Sequence, residues 1–177
     1  MTVLGDHVDE RSEAFQANRA HMLALLAEHD RQLALVNQGG GEKYIARHRQ
    51  RGKLLCRERV ELLVDADSPL LELSPLAAWG SDFPVGAGVF TGIGVVEDVE
   101  CVIIANDPTV RGGTSTTWTV KKTLRAMEIA RENRLPLLYL VESGGADLPH
   151  QAEIFVPGGE TFRNLTRLSA AAIPTIA

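Results

Sequence analysis

Three stretches of this chain combine residue types and spacings that can do chemistry. The first is Ser143-Gly144-Gly145-Ala146, directly after the apolar run Leu137 to Val141. Paired glycines at the end of a strand let a ligand approach the backbone, with N–H groups free to donate. Such donors stabilise an oxygen that gains negative charge during a reaction. Gly144, Gly145 and Ala146 are therefore candidate backbone oxyanion donors. A plain strand-to-helix turn, where the glycines only permit the chain path, is the competing reading. Ser143 has no His/Asp set arranged around it in sequence, and His150 reads as an exposed polar residue on the next loop. Chemistry here would rest on backbone electrostatics rather than on a nucleophile and base.

The second stretch is Asn106 to Thr114, again between a strand and a helix. Ligands of α/β folds gather outside the carboxyl ends of strands. Gly112, Gly113 and Thr114 could bring backbone close to a phosphate or acyl group. Gly-Lys-Ser/Thr is missing, so this is no P-loop; an ordinary loop with a threonine cap near Thr116 is equally open. The third stretch holds Lys43, Arg47, Arg49, Arg51, Lys53, Arg57 and Arg59, opposed only by Glu42 and Glu58. A positive surface of this kind suits the phosphates of coenzyme A or a nucleotide. It also suits a solvated or subunit-contacting face. Lys121 and Lys122, near a helix start, add to either reading.

These candidates need elements to position them. Phe15, Met22, Leu25, Leu26, Leu33 and Val36 recur at helical steps, which predicts a helix over 9–36, stopped by Gly39-Gly40-Gly41. A short helix is predicted from Arg57 to Val64 and a short strand at Leu70 to Leu73. Val89 to Val96 and Glu100 to Ala105 read as two strands joined by a tight Glu97-Asp98 turn, a hairpin. Gly92 and Gly94 would weaken a strand unless a bulge or a close neighbour explains them. Thr117 to Arg134 reads as a helix with Val120, Leu124, Met127 and Ile129 on one side, Leu137 to Val141 as a strand, Glu160 to Ala172 as a helix, and Ile173 opens another strand. Repeated β-α-β order argues for parallel pairing.

Composition bounds the function. The net charge of −5 argues against a dedicated nucleic-acid binder, which leans on phosphate neutralisation. No apolar run reaches spanning length and the N-terminus lacks a signal-peptide layout, so the expectation is a cytoplasmic protein without a membrane partner. Cys56 and Cys101 lie far apart and read as reduced thiols, Cys101 as inert core. No Cys-x-x-Cys pair or His/Cys cluster exists, which excludes a zinc ribbon, and no metal is expected.

Separate segments then point to one family. Arg47-His48, Arg51-Gly52-Lys53-Leu54-Leu55 and Arg57-Glu58-Arg59-Val60 resemble the opening signature of the carboxyltransferase β subunit of biotin-dependent acyl-CoA carboxylases. Leu71 to Gly80, Gly88 to Gly94, Glu100 to Asp107, Thr109 to Thr114, Thr119 to Lys122, Leu135-Pro136 and Ser143 to Ala146 continue the match. It covers about 40–177 in order. Gly144 to Gln151, in the form Gly-Gly-Ala-x-Leu-Pro-x-Gln, looks like the methylcrotonyl-CoA and geranyl-CoA branch, and Asp147 stands where other branches carry an arginine.

The resemblance implies an α/β, crotonase-like (ClpP/crotonase) spiral of β-β-α units, incomplete in this chain. It divides the chain into a helical extension, 1–40, and a partial carboxyltransferase domain, 41–177. It implies transfer of a carboxyl group from carboxybiotin to an acyl-CoA through an oxyanion-stabilised enolate, with released biotin taking the proton. Biotin would ride on a separate carrier subunit or domain. The implied partners are that biotin carboxylase/carrier α subunit and further β subunits in a homo-oligomer. By the same resemblance Gly144, Gly145 and Ala146 supply one oxyanion donor. Arg51, Lys53, Arg57, Gly112, Gly113, Thr114, Lys121 and Ser143 bind the substrate and its CoA. The second donor would come from a loop beyond Ala177, so the chain reads as an N-terminal fragment, inactive by itself. A non-catalytic CoA-binding or assembly module and a crotonase-like acyl-CoA decarboxylase subunit are the alternatives.

Overall fold

In the computed structural model, which describes residues 8–177, the predicted hairpin organises the rest. β2 (Val89–Val96) and β3 (Val99–Asn106) pair antiparallel without a slip, from Val89 opposite Asn106 to Val96 opposite Val99. Glu97 and Asp98 join them with φ of 50° and 62°. Positive φ at both central positions matches the twist of the flanking strands. Neither residue is glycine. The Asp65 carboxylate holds the turn instead, accepting from the Glu97 and Asp98 amides at 2.8 Å each. Gly92 and Gly94 sit in this ladder without a bulge. A Cβ on Gly92 would stand 2.7 Å from Phe90 Cζ, and one on Gly94 2.8 Å from Val64 Cγ1. Close neighbours explain both glycines.

β1 (Leu71–Glu72) pairs antiparallel with β2, while β4 (Leu137–Leu140) and β5 (Thr175–Ile176) add in parallel beyond β3. The sheet order is β1-β2-β3-β4-β5. Parallel neighbours need crossovers. α4 (Thr117–Asn133) links β3 to β4, and α5 (Gln151–Ala170) links β4 to β5. Successive side chains of β3 point to opposite faces. Val102 and Ile104 pack with Ala126, Met127, Leu137 and Leu168 on the α4–α5 side. Ile103 and Ala105 pack with Phe90 and with Cys56 and Val60 of α3 (Cys56–Glu61) on the other. A strand covered on both faces reads as an unbroken apolar run, which is how 101–105 reads. This mixed α/β sheet, a hairpin feeding βα units, is the predicted β-β-α arrangement.

Four expectations differ from the structure. α1 (Glu13–Asn37) starts after the Ser12 cap, whose hydroxyl accepts from the Phe15 amide. Its apolar stripe is not packed: Met22, Leu25 and Leu26 are about half exposed and only Gln32 is buried. The basic segment forms a helix of its own, α2 (Glu42–Gln50), with Glu42 in its first turn and Arg47, His48 and Arg49 in its last. That distribution complements the helix dipole. α5 begins at Gln151, not near Glu160, and runs through Pro157-Gly158-Gly159. Proline and glycine disfavour a helix interior, but the burial of Ile154 and Leu168 overrides them. α4 buries Lys122 and Thr123 along with Val120 and Met127, while Leu124 and Ile129 are only partly covered.

Candidate active site

The two glycine loops that the sequence presents separately form one structure. The Gly144 amide donates to Gly112 O at 3.0 Å, the Ser115 amide to Gly145 O at 2.8 Å, and the Asp147 amide to Ser115 O at 2.9 Å. Gly113, at φ 70°, lies so close to the other loop that a Cβ would stand 2.3 Å from Glu142 O. Only glycine tolerates both the left-handed backbone and that approach. Upstream, wholly buried Asn106 closes the same seam: its Oδ1 accepts from the Glu142 amide at 3.2 Å.

This seam sorts the candidate donors. Gly144 is not a free donor, because its N–H is spent on Gly112 O. The Gly145 N–H donates to Ser143 Oγ at 3.1 Å. The Ala146 N–H has no hydrogen-bond partner among the described residues. Residues 143–146 are all exposed. Ala146 also lines a groove of about 490 Å³ between α4 and α5, with Val120, Thr123, Tyr139, Ile154, Phe155 and Phe162. Among the described residues no charged side chain lines this groove. The arrangement can place an apolar group in the groove and offer a backbone amide to its polar end.

The predicted coenzyme A cations do not converge. Lys53 Nζ reaches Glu142 Oε1 at 2.5 Å, beside the turn. Burial works against the charged form of Glu142, but the bond and charge of Lys53, with Arg59 and His48 nearby, hold its carboxyl below the usual range. Arg57 instead forks onto Glu72 at 2.7 and 2.8 Å and lies over the Phe90 ring. Lys121 lies over the Trp118 ring at 4.7 Å, in an outer α4–α5 cleft with Arg125, Arg163 and Arg167. Arg51 is exposed at the end of α2. Thr114 donates its hydroxyl to Arg111 O at 2.7 Å.

Other residues of the site take roles that the sequence reading did not give them. Arg59 donates to Asn106 O at 2.5 Å and approaches Glu142 at 3.8 Å, tying α3 to the ends of β3 and β4. Asp147 is buried, with Oδ2 accepting from Arg111 Nη2 at 3.1 Å and bonded to His150 Nδ1 at 2.8 Å. His150 is thus a partner of Asp147 rather than an isolated polar residue. Lys122 is no surface cation. It is buried, donates to Val89 O at 2.8 Å and Gly86 O at 3.2 Å, and burial lowers its pKa to about 8. The local signals were Asn106, a polar residue ending an apolar strand, and the three-residue spacing of Asp147 and His150; the remaining pairs are distant in sequence. Both cysteines are free and buried, and burial, with Asp107 adding, pushes the Cys56 thiol up to about 11.

Residues 47–177 match the carboxyl transferase domain family. A probable biotin-dependent acyl-coenzyme A carboxylase beta2 subunit of Mycobacterium tuberculosis is 61% identical over 175 residues, 99% of this chain and 33% of that protein. A probable mitochondrial methylcrotonoyl-CoA carboxylase beta chain of Drosophila melanogaster is 48% identical over 181 residues, 99% of this chain and 31% of that protein. The beta subunit of P. aeruginosa geranyl-CoA carboxylase superposes with a TM-score of 0.90 at 40% identity, over 98% of this chain and 33% of that one. The chain thus spans about a third of the length of the relatives it matches. Among the described residues no helix is long and apolar enough to cross a membrane.

Proposed function

The chain belongs to the carboxyl transferase domain family, whose fold it has, and on that premise we propose that it holds an acyl-CoA thioester for carboxyl transfer. The acyl group lies in the α4–α5 groove and the thioester oxygen meets the Ala146 N–H. When a proton leaves the acyl carbon, the electron pair spreads onto that oxygen. A backbone donor aimed at that oxygen stabilises the charge as it forms, and the carbon then bonds to the incoming carboxyl group. Carboxybiotin, carried on a separate carrier subunit or domain, would supply that carboxyl group as its N–carboxyl bond breaks, and the released biotin would take the proton. The groove's lack of charged lining fits a branched acyl group of the methylcrotonyl or geranyl kind, and fits proton removal by a group from outside the chain. Of the expected cations Lys53 lies beside the turn and is half exposed, and it would exchange its Glu142 partner for a coenzyme A phosphate. Residues 1–40 form an extension, 41–177 a part of the carboxyltransferase domain, and the biotin-bearing subunit and further copies of the β subunit are its partners.

The unpaired Ala146 amide beside an apolar groove carries this reading. Titrating ¹⁵N-labelled protein with 3-methylcrotonyl-CoA tests it. The Ala146 amide resonance should shift with saturation. Binding that leaves Ala146 unmoved while perturbing other residues would refute the assignment.

A second reading has an observation of its own. Oxyanion sites of this kind use two donors, and only one unpaired amide stands at the groove mouth among the residues of the turn. The chain would then bind acyl-CoA without turnover. Radiolabelled carboxyl transfer with the biotin-bearing partner supplied separates the two: incorporation favours catalysis, binding without incorporation favours the module.

A further inference from the structure

We infer that Asp147, together with Arg111, is a positioning residue that fixes the direction of the Ala146 N–H; this rests on the reading that Ala146 receives the thioester oxygen. The argument starts from the parallel bridge between Ser115 and Ala146. Ser115 donates to Gly145 O and accepts from the Asp147 amide. In a parallel ladder, the residue straddled by two such bonds turns its own N–H and C=O away from the partner segment. The Ala146 N–H points away from Ser115 for that reason, and only while both bonds hold.

Two backbone bonds between irregular segments do not hold a direction firmly without support. Asp147 supplies the support from the next position in the chain. Its buried carboxylate takes Arg111 Nη2 at 3.1 Å from the other loop, and the same Oδ2 meets His150 Nδ1 at 2.8 Å. The Arg111 guanidinium lies over the Phe83 ring, 5.5 Å from its centroid, and the His150 ring meets Phe83 edge-on at 5.5 Å. Two loops therefore meet at one buried carboxylate, and Phe83 of a third packs on both of its partners. Arg111 itself has φ 49°, a left-handed conformation that a non-glycine residue keeps only when its surroundings impose it. Burying a carboxylate against a guanidinium is weak as a source of stability, and its best-attested use is to specify one arrangement. Here the arrangement specified is the register of 145–147 against 115.

The test uses this chain with Asp147→Ala, Asp147→Asn and Arg111→Ala. Without ligand, the NMR order parameter of the Ala146 N–H should be about 0.85 in the unaltered protein and fall below about 0.6 in Asp147→Ala and Arg111→Ala. The double variant should fall no further, because the two side chains act as one unit. Asp147→Asn keeps the shape and an acceptor oxygen but loses the charge, and should fall between. It also carries the test if Asp147→Ala fails to fold by circular dichroism. With 3-methylcrotonyl-CoA labelled with ¹³C at the thioester, the infrared C=O stretch should move down in the unaltered protein and return toward its free frequency in the variants. Affinity measured by calorimetry should change less than about threefold. An unchanged Ala146 order parameter in all folded variants overturns the inference, whatever the thioester does. Loss of order in the variants together with an unshifted C=O in the unaltered protein leaves Asp147 as a positioning residue and overturns the thioester reading instead.

Discussion

Replacing Lys122 with methionine tests how a buried lysine is tolerated in this fold. Its ammonium is buried under β2, and burial lowers its pKa from the ordinary 10.5 to about 8, with Glu72 opposing that shift. The sign follows from proton binding. Below pH 8 the lysine is charged in both folded and unfolded chains, and the folded state bears the full cost of the buried charge. Between pH 8 and 10.5 the unfolded chain holds a proton that the folded one has lost, so stability rises with pH. The slope is about 1.4 kcal/mol per pH unit, and the total is about 3 kcal/mol. The neutral amine still donates to Gly86 O and Val89 O, so the gain comes without loss of those bonds. Lys122→Met removes the charge but strands Val89 O, which costs about 1–3 kcal/mol, and leaves Gly86 O only the long 3.4 Å bond from the Val89 amide. At pH 7 the variant should therefore lie close to the unaltered protein. Urea denaturation at half-unit steps from pH 7 to 10.5 separates the terms, because Tyr139, Cys56 and Cys101 titrate alike in both proteins and cancel in the difference. The expected result is a difference curve that bends by about 3 kcal/mol, with only the unaltered protein gaining. Parallel curves would refute the account of Lys122 as a charge held against burial.

Gly113→Ala should lower stability by at least about 2 kcal/mol, since the added carbon meets Glu142 O at 2.3 Å from a left-handed backbone; thermal unfolding of the variant measures it. Gly158→Ala and Gly159→Ala should each raise stability by about 0.5–1 kcal/mol, because both glycines lie inside α5 and an added Cβ would make only an ordinary contact with Ile154 Cγ2 at Gly158 and meet nothing at Gly159. A fall in melting temperature for either would show that the helix needs its glycines. Cys56, buried and pushed up to about 11, should resist iodoacetamide at pH 8 in the native protein and react at once in urea; native-state labelling followed by mass spectrometry reads this directly.

Local chemistry made much of the scaffold legible. The Glu97-Asp98 turn, the covered strand at 101–105 and the helix after Thr116 are each specified by neighbours within a few residues, so periodicity and turn residues find them. The family signatures are local in the same sense, and residues 47–177 match accordingly. The candidate loops were legible as glycine pairs, but their roles were not. Whether an amide is free depends on an acceptor elsewhere: Gly144 finds Gly112 O, 32 residues back, and Ala146 finds none among the described residues. Arg57 reads as a phosphate ligand until Glu72 claims it, and Lys122 reads as a surface cation until β2 covers it. The Pro157-Gly158-Gly159 run disfavours a helix interior through a local propensity of about 1 kcal/mol per glycine and 3 for proline, which the burial of Ile154 and Leu168 overrides. The amino-acid sequence by itself determined the family, the strand pairing and the places where backbone could meet a ligand. Only the tertiary structure decided which donors stay unpaired and which charges are taken, because a hydrogen bond or an ion pair belongs to two residues at once and its second member lies anywhere in the chain.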